Sequence, residues 1–309
     1  MPGADDPARV EIYNLARTED EDFVPETLEL LRLWDKAPDA EHRHRFIAEL
    51  GGRAAGVVLA NVDPHLAEKK GFMYGPSVLP EFRRNGIGTA LARAAIADLR
   101  SRGMEQVEAR EQDRESSNAF LASLGFKPVR SFSNMRRNLA DLSAGPRPPG
   151  IEVVLVEPTD ENLRTLVHIE NEAFKEHFNY RPATLEMMQF YIKNIRAEGA
   201  VVYTAFARMR GEPVGYLVFG YEPHTFAHLG RKRGTLWDIG VLKQHRQQGV
   251  ATALFLASME RLKSDGLEEA ELYVDDSNVT GARRLYEKLG FKLAVRDIVR
   301  VLDLRTRET

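Results

Sequence analysis

The spacing of hydrophobic and polar positions changes period several times along this chain, and each change marks an element. In the second half, residues 151–156 form a short apolar run that predicts a strand. Residues 162–174 repeat apolar positions at helical spacing behind a candidate cap at Asp160. The stretches 201–209 and 214–221, split by Arg210-Gly211-Glu212-Pro213, predict a hairpin. A strand at 235–242 runs into a long helix at 249–264, ended by Asp265-Gly266. A strand at 271–274, a helix at 280–289 closed by Gly290, and a terminal strand or strand pair at 291–304 complete the half.

The first half gives a similar order. It opens at 10–16, followed by a helix at 25–34 and a hairpin of 45–50 and 54–60 turning at Gly51-Gly52. Strand 72–78, helix 86–102, strand 106–109, helix 118–124 and final strand 129–138 follow. Strands around a strand–loop–long-helix unit predict an α/β class, a twisted mixed sheet with helices on both faces.

The similarity extends to the residues themselves. Positions 78–91 read VLPEFRRNGIGTAL and positions 241–254 read VLKQHRQQGVATAL, so Arg83 pairs with Arg246 and Gly86 with Gly249 at a separation of 163. Ser-Leu-Gly-Phe at 123–126 returns as Lys-Leu-Gly-Phe at 288–291, now 165 apart. Two blocks recurring in order imply a duplicated domain, because solenoid repeats run only to roughly 20–50 residues. The length of 309 residues also implies about two domains. Between the copies, residues 143–150 hold three prolines and two glycines, which suit neither a helix nor a central strand. The expected layout is therefore a domain at 1–142, a linker at 143–150 and a domain at 151–309.

Composition narrows the function. The chain is 43% hydrophobic and 29% charged, enough for two real cores. Its 43 basic and 46 acidic residues are mixed along the sequence with no basic tract, which disfavours nucleic acid as an obligate partner. The lack of cysteine removes disulfides, thiolate nucleophiles and zinc–thiolate sites, and fits a reducing compartment. No metal is expected. No apolar run approaches the roughly 20 residues of a membrane span, and the first residues, MPGADDP, lack the pattern of a signal peptide. The expectation is a cytoplasmic protein without a membrane partner, a monomer whose halves pair as a pseudo-dimer.

In both copies a strand enters an Arg-x-x-Gly-x-Gly/Ala loop and then a long helix. The glycines let backbone amides converge at a helix N-terminus, where free N–H groups and the helix dipole favour an anion. The arginine would add charge where a diphosphate lies. Neither copy has the lysine of a P-loop, and Leu91 and Leu254 stand where a dinucleotide fold needs a third glycine.

Residues 278–291, NVTGARRLYEKLGF, add Asn, Ala, Leu-Tyr and Gly-Phe at fixed spacings. Strand, loop, helix and this block together resemble the GNAT superfamily of acetyl-CoA-dependent N-acetyltransferases, well over 235–293 and partly over 72–128. The duplicated layout is similar to tandem members in which the C-terminal copy is catalytic. The resemblance implies two tandem GNAT-like domains. It implies that Ile239, Gly240 and Val241 bond the pantetheine arm through their backbone, as an added strand would. Arg246, Gln247, Gln248, Gly249, Val250, Ala251 and Thr252 would cradle the pyrophosphate, and Asn278 would hold the pantetheine end. Tyr286 would protonate the departing thiolate. In the first copy the cradle would be Arg83, Arg84, Asn85, Gly86, Ile87, Gly88 and Thr89.

The copies are not expected to be equivalent. Leu121 stands opposite Tyr286, Asp113 opposite Asn278, with Asn118 as a substitute, and Pro76 opposite Ile239. Proline has no N–H to polarise a thioester carbonyl. The first half therefore reads as a CoA-binding or structural half. For the base that relieves the amine of its proton, the candidates are Asp238, Glu172, His177, Tyr180, Glu222 and His224, with Asp238 best placed. Without a cysteine acyl carrier, direct attack on the thioester is preferred. Arg231-Lys232-Arg233 is either a solvated turn or a clamp for an anion. The leading expectation is acetyl transfer to the primary amine of a small molecule. The alternatives are an acyl-CoA sensor without turnover and a peptide or protein N-acetyltransferase.

Overall fold

The computed structural model describes residues 5–142, 147–197, 199–278 and 281–305. In chain order the elements are α1 (Asp6–Ala16), α2 (Leu28–Trp34), β1 (Arg43–Leu50), β2 (Arg53–Val62), β3 (Lys70–Val78), α3 (Ile87–Ser101), β4 (Gln106–Gln112), α4 (Glu115–Ser123) and β5 (Lys127–Asn138). There follow β6 (Glu152–Val156), α5 (Asp160–Phe174), α6 (Leu185–Ala197), β7 (Val201–Met209), β8 (Glu212–Tyr221), α7 (Phe226–Leu229) and β9 (Arg233–Val241). The chain ends with α8 (Val250–Ser264), β10 (Glu269–Asp275), α9 (Ala282–Lys288) and β11 (Lys292–Asp303). Among the described residues, no helix is long and apolar enough to cross a membrane.

Residues 10–16, which stand where the second half has its opening strand, lie in helix α1. Helix α6 is absent from the elements read off the sequence. Its side-chain cap is Thr184, whose hydroxyl accepts from the Met187 amide at 3.2 Å.

Two compact units form. One takes the chain up to Phe132 together with the segment from Val295 onward, and the other spans Ser133–Ala294. The units thus exchange the last strands of the two sequence halves, 1–142 and 151–309. Residues 143–146 of the expected linker lie outside the described residues.

In the first unit the strand order is β1-β2-β3-β4-β11, with β3 and β4 parallel and the other pairs antiparallel. In the second it is β5-β10-β9-β8-β7-β6, with β9 and β10 parallel and β6 to β9 antiparallel. Burial of apolar side chains accounts for the exchange. Met135, Leu139 and Leu142 belong to the core under α8, while Leu302 and Leu304 pack against the core under α3. The hydrogen bonds that dock the two tails correspond: the Leu139 amide donates to the Glu268 carbonyl and the Leu304 amide to the Glu105 carbonyl, each at 2.8 Å.

A further repeat appears in the loops that follow α1 and α5. Asn14 donates to the Glu26 carbonyl and accepts from its amide, at 2.9 and 2.8 Å. Asn171 makes the same two bonds to Ala183, at 3.0 and 2.7 Å. Pro-x-Thr-Leu-Glu recurs at 25–29 and 182–186, 157 residues apart. The two helix–loop–helix segments therefore correspond at a single sequence offset.

Candidate active site

The loop before α8 begins with a single 3-10 turn, Lys243–His245, after which Arg246 is extended. Gln247 and Gly249 both have positive φ, 60° and 89°, so the chain reverses sharply and Gly249 becomes the N-cap of α8. The Ala253 amide donates to the Gly249 carbonyl at 2.9 Å, the first bond of the helix. The amides ahead of it are the orphan donors of a helix start and form a natural anion cradle. The first unit repeats this shape before α3, with Arg84 and Gly86 at φ 65° and 77°.

The loop arginines bond to backbone carbonyls on either side. Arg246 donates to the Val241 carbonyl at 3.2 Å and to the Ala173 carbonyl in the last turn of α5 at 2.8 Å. Arg83 makes the matching bonds to Val78 and Ala16, at 3.3 and 2.9 Å. Each guanidinium braces the loop against a helix C-terminus, where positive charge is favoured.

Strand β9 pairs with β10 only through Arg233–Leu236 against Glu269–Leu272, although both strands run on. From Trp237 the two strands are no longer paired with each other. On its other edge β9 carries a bulge at Trp237, between Leu236 opposite Phe219 and Asp238 opposite Val218. A bulge re-aims the side chains beside it.

Asp238 is the focus of the second unit's polar groups. Tyr216, fully buried on β8, donates its hydroxyl to Asp238 Oδ2 at 2.6 Å. Burial raises the Asp238 carboxyl pKa, against the opposing effects of the Tyr216 hydroxyl and the Ile239 amide. Burial, with the charge of Asp238 second, also raises the phenol pKa of Tyr286, which keeps it protonated. The Tyr286 ring sits edge-on to Phe255 and Phe291, with centroids 5.1 and 6.4 Å away. Glu170 on α5 joins them: burial first and Asp238 second push its carboxyl up to about 8, with Arg181 acting in the other direction.

The other sequence candidates fall elsewhere. Glu172 is exposed and paired with Lys175 at 2.7 Å. The Tyr180 hydroxyl reaches Asn171 at 3.3 Å, and the His177 ring packs on Phe174 with centroids 4.4 Å apart. Glu222 is partly buried with a raised pKa, from burial first, and His224 is exposed. Arg231 and Arg233 both pair with Glu269, at 2.8 and 3.2 Å, and Arg233 is buried. Asn278 lies in the turn after β10 and donates its amide to the Asp275 carbonyl at 3.0 Å; the N-cap of α9 is Gly281. In the first unit Leu121 is buried in the core, and Asn118 is bonded to both Asp113 and Arg300.

The family model of the Acetyltransferase (GNAT) family matches residues 9–126 and again 163–291. The chain belongs to this family. A mycothiol acetyltransferase of Actinosynnema mirum is 28% identical over 283 residues, covering 90% of this chain and 89% of its own length. One from Salinispora arenicola is 31% identical over 266 residues, covering 85% and 81%. Among solved structures, a tandem GNAT protein from the clavulanic acid biosynthesis pathway aligns with TM-score 0.76 at 17% identity, over 99% of this chain and 98% of its own. A GCN5-related N-acetyltransferase from Sphaerobacter thermophilus gives 0.70 at 24% identity, over 98% and 94%. These structural likenesses show the fold. The protein is a tandem GNAT enzyme, an acetyl-CoA-dependent N-acetyltransferase that transfers an acyl group to an amine.

The GNAT match covers both halves, so it does not separate them. Glu170 and Tyr216 are absent from the sequence-based candidates. Glu170 had a legible signal: it lies four residues after Leu166 and three before Ala173, on the buried stripe of α5. A carboxylate there is a polar group placed where the pattern demands an apolar one.

Proposed function

We propose that the second unit carries the chemistry and acetylates the primary amine of a small molecule, while the first unit is non-catalytic. The observation that supports this most directly is the contrast at matched positions. Gly215 faces Val241 across β8 and β9 as Gly56 faces Val78 across β2 and β3, which sets Tyr216 opposite Val57. Asp238 then corresponds to Gly75 and Tyr286 to Leu121. The first unit retains the loop and lacks every one of these acid–base groups.

In this reading the splayed strand Ile239, Gly240 and Val241 holds the pantetheine arm through its backbone, and Gln247 to Thr252 hold the pyrophosphate through theirs. Asn278 borders the arm beyond β10. Acetyl-CoA supplies the activated acetyl group and a thiolate that needs a proton. Tyr286, held protonated, gives that proton. Asp238, oriented by the Tyr216 hydroxyl, serves as the base, directly or through water. The similarity to proteins named mycothiol acetyltransferases supports a small-molecule acceptor, and a mycothiol-type amine belongs first on any panel. The supply of acetyl-CoA argues for the cytoplasm as the place of work.

The test is a pair of full-length loop variants, Gly86→Val and Gly249→Val, assayed by calorimetry with CoA and by thiol release over an amine panel. A Cβ on Gly249 would also meet Pro148 Cβ at 2.8 Å, whereas Gly86 has no neighbour within 4 Å. Gly249→Val is therefore repeated in a Pro148→Gly background. Loss of binding and turnover in both Gly249 variants, with turnover kept in Gly86→Val, is expected. The reverse pattern assigns catalysis to the first unit. Transfer to peptides and not to small amines would replace the acceptor class.

A further inference from the structure

The repeat that sets Asn14 opposite Asn171 also sets Tyr13 opposite Glu170. The second unit thus differs from the first at one more matched position, here by a carboxyl in place of a phenol. Glu170 Oε2 is buried and has no hydrogen-bond partner in the structure. A buried carboxylate oxygen without a partner destabilises a fold, so its presence on the apolar stripe of α5 calls for a compensating use.

The charges around it define that use. Glu170 faces Asp238 from β9, Tyr216 from β8 and Arg181 from the loop after α5. Arg181 acts on Glu170, while Asp238 is held by the Tyr216 hydroxyl and the Ile239 amide. Burial first and then Asp238 push the Glu170 carboxyl up to about 8, so in the free enzyme at neutral pH the pair holds a proton. An ammonium group can take that proton's place. The Tyr286 phenol also lies in the field of Asp238, which links the pair to the proposed acid.

We propose that Glu170 is the acceptor-binding carboxylate of the site: paired with Asp238, it receives a basic aliphatic amine in its ammonium form. The proposal rests on the acetyl-transfer reading above. The ammonium replaces the proton on the pair, so the amine enters as that proton leaves to solvent. An N–H bond of the ammonium then breaks and an O–H bond forms on the carboxylate pair, which frees the nitrogen lone pair. That lone pair attacks the thioester carbonyl, the C–S bond breaks as the thiolate sulfur takes the Tyr286 proton, and the second N–H proton leaves the new amide nitrogen for the Tyr286 phenolate through water. Weakly basic aromatic amines, neutral in solution, would not profit from the carboxylate pair.

The experiment compares wild type with Glu170→Gln, full length, using aliphatic amines and anilines of matched size with thiol release as readout. In Glu170→Gln, KM for the aliphatic amine should rise about 10- to 100-fold, the range for losing a hydrogen bond to a charged group. KM for the anilines and Kd for CoA should stay within about twofold. The pH profile of kcat/KM should lose its step near pH 8. Infrared spectroscopy of the free protein supplies a readout apart from turnover: wild type at neutral pH should show a buried protonated carboxyl band that Glu170→Gln lacks. Equal losses for both amine classes, an unshifted pH profile, or a band unaffected by the substitution would each overturn the assignment. Absence of transfer to every amine in wild type would instead remove the functional reading itself, and this inference with it.

Discussion

Glu170→Gln should make the protein more stable, and increasingly so as pH rises. A glutamate in an unfolded chain titrates near its ordinary value of 4.5, and the folded structure pushes Glu170 up to about 8. A carboxyl whose folded pKa is raised contributes its stability in full below pH 4.5 and loses it as pH rises toward 8. The native state binds the extra proton, so stability falls across that window. A shift of about 3.5 units at 1.36 kcal/mol each sets a ceiling of roughly 5 kcal/mol on the loss above pH 8. Coupling to Asp238 spreads part of this over both carboxyls, so a difference of about 2–4 kcal/mol is expected. Glutamine keeps the shape and cannot ionise. The two proteins should therefore be nearly equal at pH 4.5, diverge up to about pH 8, and stay parallel above it. Urea unfolding at a series of pH values measures this. Trp237 lies in the second unit and Trp34 in the first, so fluorescence in a Trp34→Phe background follows the correct unit. A gap that does not change with pH, or a wild type more stable than the variant at pH 8, would refute the reasoning.

Other outcomes follow from the same structure. Tyr286→Phe keeps the edge-on contact with Phe255 and should leave stability within about 1 kcal/mol. It should lower turnover roughly 100- to 10,000-fold under conditions where chemistry limits the rate, and wild-type turnover would return Tyr286 to a packing role. Asn14→Ala and Asn171→Ala each delete two bonds to the backbone, at about 1 kcal/mol per bond. Only Asn171→Ala should reduce activity, because its loop carries Arg181; equal activity losses in the two variants would contradict the asymmetry. Ending the chain after Ala294 removes β11 from its pairing with β4 and Leu302 from the core under α3. The first unit should then melt earlier although its own half of the sequence is intact, as limited proteolysis of the Trp34 region would show.

Much of the fold was legible because its units are local. The 3.6- and 2-residue periods located α5, α8, β7 and β8, and the Arg-x-x-Gly loops marked where a strand meets a helix. The strand exchange was not legible, because an alternating apolar strand such as 129–138 states which face it buries and says nothing about which sheet receives it. The proposed active-site groups divide along a similar line. Asp238 and Tyr286 follow from register with recognisable motifs, whereas Glu172, His177 and Tyr180 are candidates only by their place between the first helices of their half. Glu172 in fact turns to solvent and pairs with Lys175. Two residues earlier, Glu170 is the group that faces inward, a difference of about 200° around a helix of 3.6 residues per turn. Pro-x-Thr-Leu-Glu could also have been found, but it recurs at 157 residues and the loop motif at 163, so a single offset misses one of them. Once both offsets are applied, the first unit becomes an internal control for the second. Asn14, Arg83 and Gly86 match Asn171, Arg246 and Gly249 because each holds a loop in shape. Tyr13, Val57, Gly75 and Leu121 fail to match Glu170, Tyr216, Asp238 and Tyr286. A scaffold retained in both copies beside four matched positions that differ is the pattern expected of a duplicated fold that keeps its shape and, as proposed, confines its chemistry to a single site.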